Sequence, residues 1–484
     1  MREFGGNVAG DKQDSVQSQL FVDKTSLIKL VSHEVDHILL ISAPAGFGKT
    51  TNMDMMRRFY EIQVDEDGGF VARNNTKYFK IFASLYLKNR IPSHLDVYED
   101  KKFFNAFFAQ YPIIHVDFTQ LDFKSWSKFK ESFVKIINEL FNYHSYLLSS
   151  VKLSDKEKVM FRNYQFSVIC RELEPVQLKE SMTFLASMLY KYFNQKVILL
   201  IDEIDSIIHG QLMNICDNTE EIITFIADLV KHTLNSNLIA KTVINSSSRF
   251  CRVFTKGVGK INHFIHSEKH SFNKFYGFTE ADVVNLAEIF GLKNNLTTIQ
   301  VWYNGYKIPK SDLKMYSFNS ISNVMFRKDI DIYSKKGKYP KKLEKLFLIK
   351  GIRRKVKTLI KNDVINVAAV KEITVKDILR LKEIFNQDSY TDLCSRDESL
   401  IFDYMLNLGY LTVVDLIENC SMMTLKIPNM ESKSELLDLV YSMPYFKTKL
   451  NLTDEEILTV NETFLDSKMS KFLDEPVLTS SHYI

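Results

Sequence analysis

The chain has 484 residues, 45% of them hydrophobic and 25% charged, with a formal net charge of +4. That length allows two or three domains with sizeable cores, and the charge is too small to decide for or against nucleic acid. No apolar run approaches the ~18–20 residues of a membrane span.

Phe (36) and Tyr (22) are abundant while Gly (16) and Pro (9) are scarce, a balance that suits a helix-rich chain with few long irregular loops. The cysteines at 170, 216, 251, 394 and 420 are odd in number, far apart and without a C-x-x-C pair. They fit free thiols in a reducing compartment better than a disulfide framework or a zinc site. The N-terminus lacks the apolar core of a secretory signal. The expected location is intracellular, cytoplasmic or nuclear, with no membrane association.

Residues 1–18 are polar and Gly-bearing and are expected to form a mobile leader. Phe21–Thr25 precedes a short amphipathic run, Ser26–Ser32, which Asp23 or Thr25 is placed to cap. The same five residues are a candidate wall for an adenine base.

The stretch His37–Asn52, HILLISAPAGFGKTTN, carries the first chemical signal. Ile38–Ile41 reads as a buried strand, Ser42–Gly48 as a turn, and a helical pattern starts at Asn52. Strand, loop and helix in that order is the context of a phosphate-binding loop. Gly46 and Gly48 let the backbone approach phosphate oxygens closely, and the new helix adds the positive end of its dipole. Lys49 is placed to reach the terminal phosphates, and the Thr50 hydroxyl to ligand Mg²⁺. Phe47 and Thr51 complete the expected phosphate-binding set. Against the pattern G-x-x-x-x-G-K-[ST], Ala43 stands where the first Gly belongs. The alternative is an ordinary strand-to-helix turn with a solvated lysine.

Pro112–Phe118 is a strand candidate that places His115 and Asp117 on one face. Lys128–Leu148 is helical by period, with Phe129, Phe133, Ile136, Ile137, Leu140 and Phe141 on one side. Leu153–Gln177 is less regular and reads as an insertion. A helix at Leu178–Phe193 leads to Lys196–Asp205, KVILLIDEID. Val197–Ile201 suits a strand buried on both faces of a parallel sheet. Asp202 and Glu203 lie at its carboxyl end, where ligands bind in open α/β sheets. Asp202 is the candidate Mg²⁺ holder and Glu203 the candidate general base. Otherwise Asp202 caps the next helix and Glu203 is solvated.

A helix at Glu220–Leu234 precedes a strand at Leu238–Ser247. Asn245, near its end, is a candidate for orienting an attacking water, with Ser246–Ser248 as alternatives or the whole cluster as turn chemistry. Arg249 is a candidate γ-phosphate or inter-subunit contact. This order of strands predicts that an extra strand separates the loop strand from the acidic one, with helices on both faces.

Phe272–Glu280 is expected to carry a last strand, and Thr279 to cap a helix ending at Phe290. Trp302–Lys307 contains an Asn-Gly pair between aromatics, a hairpin signal. Tyr333–Lys361 is strongly basic, with Arg353 and Arg354 among its cations. Leu343, Leu346, Phe347, Ile349 and Ile352 run through it at helical spacing, so a solvated helix face competes with nucleic-acid binding. Leu411–Val414 and Met423–Ile427 read as a hairpin, and Ser434 is placed to cap a helix over residues 435–441.

With these residues laid out, the chain resembles the AAA-ATPase-like family. Phe21–Thr25 is similar to its Y-V-D-K-T opening. Pro44 with Phe47–Thr50 is similar to its R-P-x-x-F-G-K-[ST] loop, in which the first Gly is also missing. Ile201–Asp205 is similar to I-D-E-Y-D, Tyr276–Thr279 to F-G-F-T, and Trp302–Tyr306 to W-Y-D-G-Y. Gly409–Thr412 and Ile427–Asn429 are similar to G-Y-L-T and I-P-N. Two departures stand out: Ala45-Gly46 replaces a double Arg, and Asn245-Ser246 lies where Thr-Gly is usual. The resemblance implies an ASCE-type three-layer P-loop NTPase fold, with ATP and Mg²⁺ as ligands. Many members continue into a PD-(D/E)xK-type nuclease domain; no such pattern is present here, so nuclease activity is not expected.

The expected organisation is a leader at 1–18, a P-loop domain at 19–300 and a mostly helical C-terminal region with a small hairpin at 301–484. The expected activity is ATP hydrolysis coupled to a conformational change. The alternatives are an ATP-gated switch or scaffold with negligible turnover, and nucleic-acid engagement through 333–361. A protein partner or self-association is also compatible with the sequence.

Overall fold

The computed structural model describes residues 20–441, apart from 66, 84–94, 215, 269, 309–310, 335–342, 344–345, 348, 387–392 and 418–420. The leader, the lysine-rich start of the basic segment and Cys420 therefore lie outside the described residues. The chain divides into two units, Met1–Ser42 with Gly48–Ile265, and Ala43–Phe47 with His266–Ile484. No helix among the described residues is long and apolar enough to cross a membrane.

The first unit is built on a five-stranded parallel sheet. Its strands are β1 (Ile38–Ser42), β2 (Ile113–Asp117), β3 (Val197–Asp202), β4 (Ile239–Ser246) and β5 (Ile261–Ile265), in the order β2-β3-β4-β1-β5. Every residue of β1 and β3 is buried, because helices cover both faces. That is why both strands read as unbroken apolar runs. As expected, β4 separates the loop strand from the acidic strand. The register pairs Ile41 with Asn245 and Asp117 with Asp202, so the carboxyl ends of the strands line up.

The helices that matter for this sheet are α1 (Ser26–His33), α2 (Lys49–Tyr60), α3 (Trp126–Tyr143), α4 (Pro175–Phe193), α5 (Ser206–Met213) and α6 (Thr219–Leu234). The aromatic and aliphatic stripe of α3 is buried throughout. Each such side chain contributes roughly 1.5–3 kcal/mol. The Ser125 hydroxyl accepts from the Lys128 N–H to start that helix. Neither Asp23 nor Thr25 caps α1 with its side chain. Instead Asp23 accepts from the Thr25 N–H and hydroxyl at 2.8 and 2.7 Å and from the Asp96 N–H at 2.7 Å. The stretch read as irregular is helical over Asp155–Gln165 and Ser167–Glu172, the first closed by a Ser154–Glu157 capping box.

The second unit contains two small sheets, β6-β8-β7 and β10-β11-β9. The first comprises β6 (Phe278–Thr279), β7 (Tyr306–Lys307) and β8 (Lys314–Tyr316); the second, β9 (Ile365–Ala368), β10 (Thr412–Ile417) and β11 (Met422–Lys426). The hairpin read at 411–427 is β10–β11. Thr279 caps α7 (Glu280–Ile289) through a capping box with Asp282.

Three local expectations change. The last strand of the parallel sheet is β5, and residues 272–280 contribute only β6 to a separate antiparallel sheet. Asn304-Gly305 is not a hairpin turn, because Asn304 ends α8 (Leu296–Tyr303). Gly305 is there for close approach: φ is +127° and a Cβ would lie 1.9 Å from the Pro428 carbonyl oxygen. The antiparallel turn falls between Lys307 and Lys314. The last described helix spans Met430–Tyr441, with Ser434 inside it. Asn429 accepts from the Ser432 N–H at 2.9 Å and supplies the start that Ser434 was expected to give.

Candidate nucleotide-binding site

β1 runs into the glycine-bearing turn, and α2 begins at Lys49 after Gly48 in the left-handed conformation (φ 81°). The first N–H groups of α2 therefore face outward from a helix start, as an anion requires. Thr50 is exposed on this first turn and Thr51 is half-buried.

Lys49, Asp202, Glu203 and Asn245 come together at the carboxyl end of the sheet. The Lys49 ammonium lies 3.2 Å from Glu203 Oε1, with the side chains 3% and 24% exposed. Asp202 ends β3 and is 1% exposed. Its Oδ1 accepts from Asn245 Nδ2 and from the Glu203 N–H, both at 3.1 Å. Asn245 Nδ2 also donates to the Lys49 carbonyl at 3.0 Å, so β4 is tied to the start of α2. Asn245 Oδ1 is buried and has no hydrogen-bond partner among the described residues. A buried acceptor left open costs about 1–3 kcal/mol unless a ligand or water fills it.

Burial pushes the Glu203 carboxyl above its ordinary range, and the nearby Asp205 and Asp202 add to this while Lys49 opposes it. The Glu203 backbone is itself unusual, with φ at 49°. A non-glycine residue held there stores strain of roughly 1–3 kcal/mol, which the surroundings must over-determine.

The serines after Asn245 do other things. Ser246 Oγ donates to the Ser248 carbonyl and accepts the Ser248 N–H, closing a turn. Ser247 bonds Asp205. Ser248 caps the 3-10 helix Arg249–Phe254, at whose first position Arg249 stands. Asn245 is thus the member of the cluster whose side chain reaches Lys49 and Asp202. On β2, His115 and Asp117 line a cavity of about 210 Å³ with Arg57, Glu61, Tyr143 and His144. Burial holds His115 below its ordinary pKa.

Ala43–Phe47 belongs to the second unit. There the Gly46 carbonyl accepts from the Asn319 N–H at 3.0 Å and from Ser317 Oγ at 3.3 Å. Gly46 has φ +81°, and a Cβ would meet Ser317 Oγ at 3.0 Å. The Phe47 ring is 1% exposed and packs edge-on against His266 (4.7 Å) and Tyr306 (4.9 Å). The Phe47 side chain is therefore a packing group, with only its backbone left to meet an anion. The sequence reading does not single out Ser317 and Asn319, nor Asp205 and His209, and it offers Ser247 only as an alternative to Asn245. No local motif flags the first pair. The second Asp of I-D-E-I-D was a visible signal for Asp205.

The five-stranded parallel order, the lysine-headed helix after β1 and the acid pair ending β3 define a P-loop-type α/β protein. A family model described as Predicted AAA-ATPase matches residues 15–263, a little over half of the chain. The protein belongs to this AAA-ATPase-like family, whose name points to nucleotide binding. No curated protein matches it.

Proposed function

We propose that the chain binds ATP with Mg²⁺ and hydrolyses it. The observation that carries this reading is the meeting of Lys49, Asp202, Glu203 and Asn245 at one sheet edge, with the buried Asn245 Oδ1 left without a partner among the described residues. The donor set fits the ligands. A buried lysine and the first N–H groups of α2 suit phosphate oxygens, and the oxygens of an aspartate and a threonine hydroxyl are of the kind a hard cation takes. Lys49 and the backbone around Gly46, Phe47, Gly48, Thr50 and Thr51 would hold the phosphates. Thr50 and Asp202 would hold Mg²⁺, whose chemistry is to neutralise charge building on the phosphate oxygens. Glu203, with its raised proton affinity, takes a proton from the attacking water as general base. Asn245 Oδ1 accepts the water's other hydrogen and fixes its direction.

A binding titration with ATP and Mg²⁺, with phosphate release followed in the same samples, tests this. Lys49→Ala is expected to lose binding. Glu203→Gln is expected to bind while phosphate release falls about 10²–10⁴-fold. Wild-type release no faster than that of Glu203→Gln sinks the hydrolysis reading. A second reading, a nucleotide-gated switch with negligible turnover, is favoured by the Lys49–Glu203 ion pair, which occupies the base. That same null result selects it. Nucleic-acid binding gains no support from the described part of the basic segment. There, in α9 (Lys350–Ile360), Arg353 is buried and Lys355 is ion-paired with Glu398 at 3.0 Å.

A further inference from the structure

Behind Asp202 and Glu203 lies a buried cluster that the site chemistry does not use. Asp205 is 0% and His209 4% exposed. Asp205 takes the Ser247 N–H on both carboxylate oxygens at 3.1 Å, and its Oδ2 accepts the Ser247 hydroxyl at 2.5 Å. His209 Nε2 lies 3.0 Å from Asp205 Oδ2 and 3.0 Å from Ser247 Oγ. An ionised carboxylate only accepts, so Nε2 carries the proton and donates. Burial works against the Asp205 charge, but these hydrogen bonds offset it and hold the carboxyl below its ordinary range.

The cluster sits on a closed turn. The Ser206 N–H donates to the Glu203 carbonyl at 3.0 Å, and the Ile204 N–H donates to the Asn245 carbonyl at 3.2 Å. The Ser206 hydroxyl donates to the Phe118 carbonyl, at the end of β2, at 2.8 Å. The left-handed Glu203 is the first residue of this turn, and Asn245 lies two residues before Ser247. Asp205 thus bridges the chain carrying the base to the chain carrying the water-orienting amide. A left-handed glutamate does not hold itself, so bonds on the far side of the turn must.

We infer that Asp205, clamped by His209 and Ser247, is a positioning residue that keeps Glu203 in its left-handed conformation and sets its spacing from Asn245. This rests on the hydrolysis reading. A slip of about 1 Å between such groups costs on the order of 10²-fold in rate.

The test uses the full chain with His209→Leu, which cannot donate to Asp205, and His209→Gln, whose amide can. Ser247→Ala is a milder third variant. Folded fraction, ATP affinity and kcat are measured on each. The expected result is a roughly 10–100-fold fall in kcat for His209→Leu, with ATP affinity within about twofold of wild type, and recovery in His209→Gln. Unchanged kcat per folded molecule in both His209→Leu and Ser247→Ala overturns the inference while leaving the hydrolysis reading intact. Equal loss of kcat and affinity in His209→Leu also overturns it, since the cluster then serves binding. If His209→Leu does not fold, Ser247→Ala alone decides. No turnover in wild type removes both readings, and that result is distinct from the others.

Discussion

Two buried clusters, one in each unit, treat their polar groups differently. In the second unit, Glu431 is 0% exposed and receives hydrogen bonds from Ser320 Oγ and from the Tyr333 and Ser334 N–H groups. Glu280 likewise accepts from Gln300, Asn304 and Tyr316. In the first unit, Asn245 is equally buried but keeps one acceptor open, and Glu203 is drawn away from its ordinary proton affinity. A carboxylate ringed by protein donors holds chain segments together. A cluster with an open acceptor and a strained glutamate spends stability on a ligand.

Three experiments press on this contrast. The largest effect is expected from Asn245→Ala, with phosphate release per folded molecule falling about 10–100-fold, beyond the Tm loss of several degrees that the two lost Nδ2 bonds cost. A melting temperature that falls steeply while turnover per folded molecule stays normal would make Asn245 structural and erase the contrast. Glu431→Ala should show the opposite pattern. Its stranded donors cost about 1–3 kcal/mol, read as a Tm lower by several degrees with unchanged phosphate release per folded molecule.

The smallest effect concerns pH and Glu203. Burial raises its folded-state pKa above the ordinary value of 4.5, so the fold favours the protonated form. That contribution is present below the unfolded pKa and is lost as pH rises through the folded one. Glu203→Gln, which carries no charge, is therefore expected to melt above wild type at pH 7–8, with the gap closing as pH falls towards about 4.5. Thermal scans of both proteins across this range decide it. A wild type more stable than the variant at pH 8 would mean that the Lys49 pair outweighs burial.

Several elements are plain in the residues themselves. β1 and β3 are apolar runs because both of their faces are covered, and Lys49, Asp202 and Glu203 stand out because charge directly after such a strand is rare. The α3 stripe and the Thr279 cap follow from local periodicity and short-range hydrogen bonding. What local reading got wrong was decided by distant partners. Asn-Gly by itself favours a turn at Gly305, yet the Pro428 backbone lies against it. The residues at 272–280 predict a last strand, but only pairing with Tyr316 shows that Phe278 belongs to another sheet.

The amino-acid order alone thus determined which strands are buried and which charges terminate them, since burial on two faces and a helix start are written in neighbouring residues. Tertiary structure alone decided that Glu203 is left-handed, that Asp205 meets Ser247, and that Ala43–Phe47 packs with residues beyond 265. Those facts depend on hydrogen bonds between residues 42 and more than 250 positions apart, and no short-range pattern encodes them.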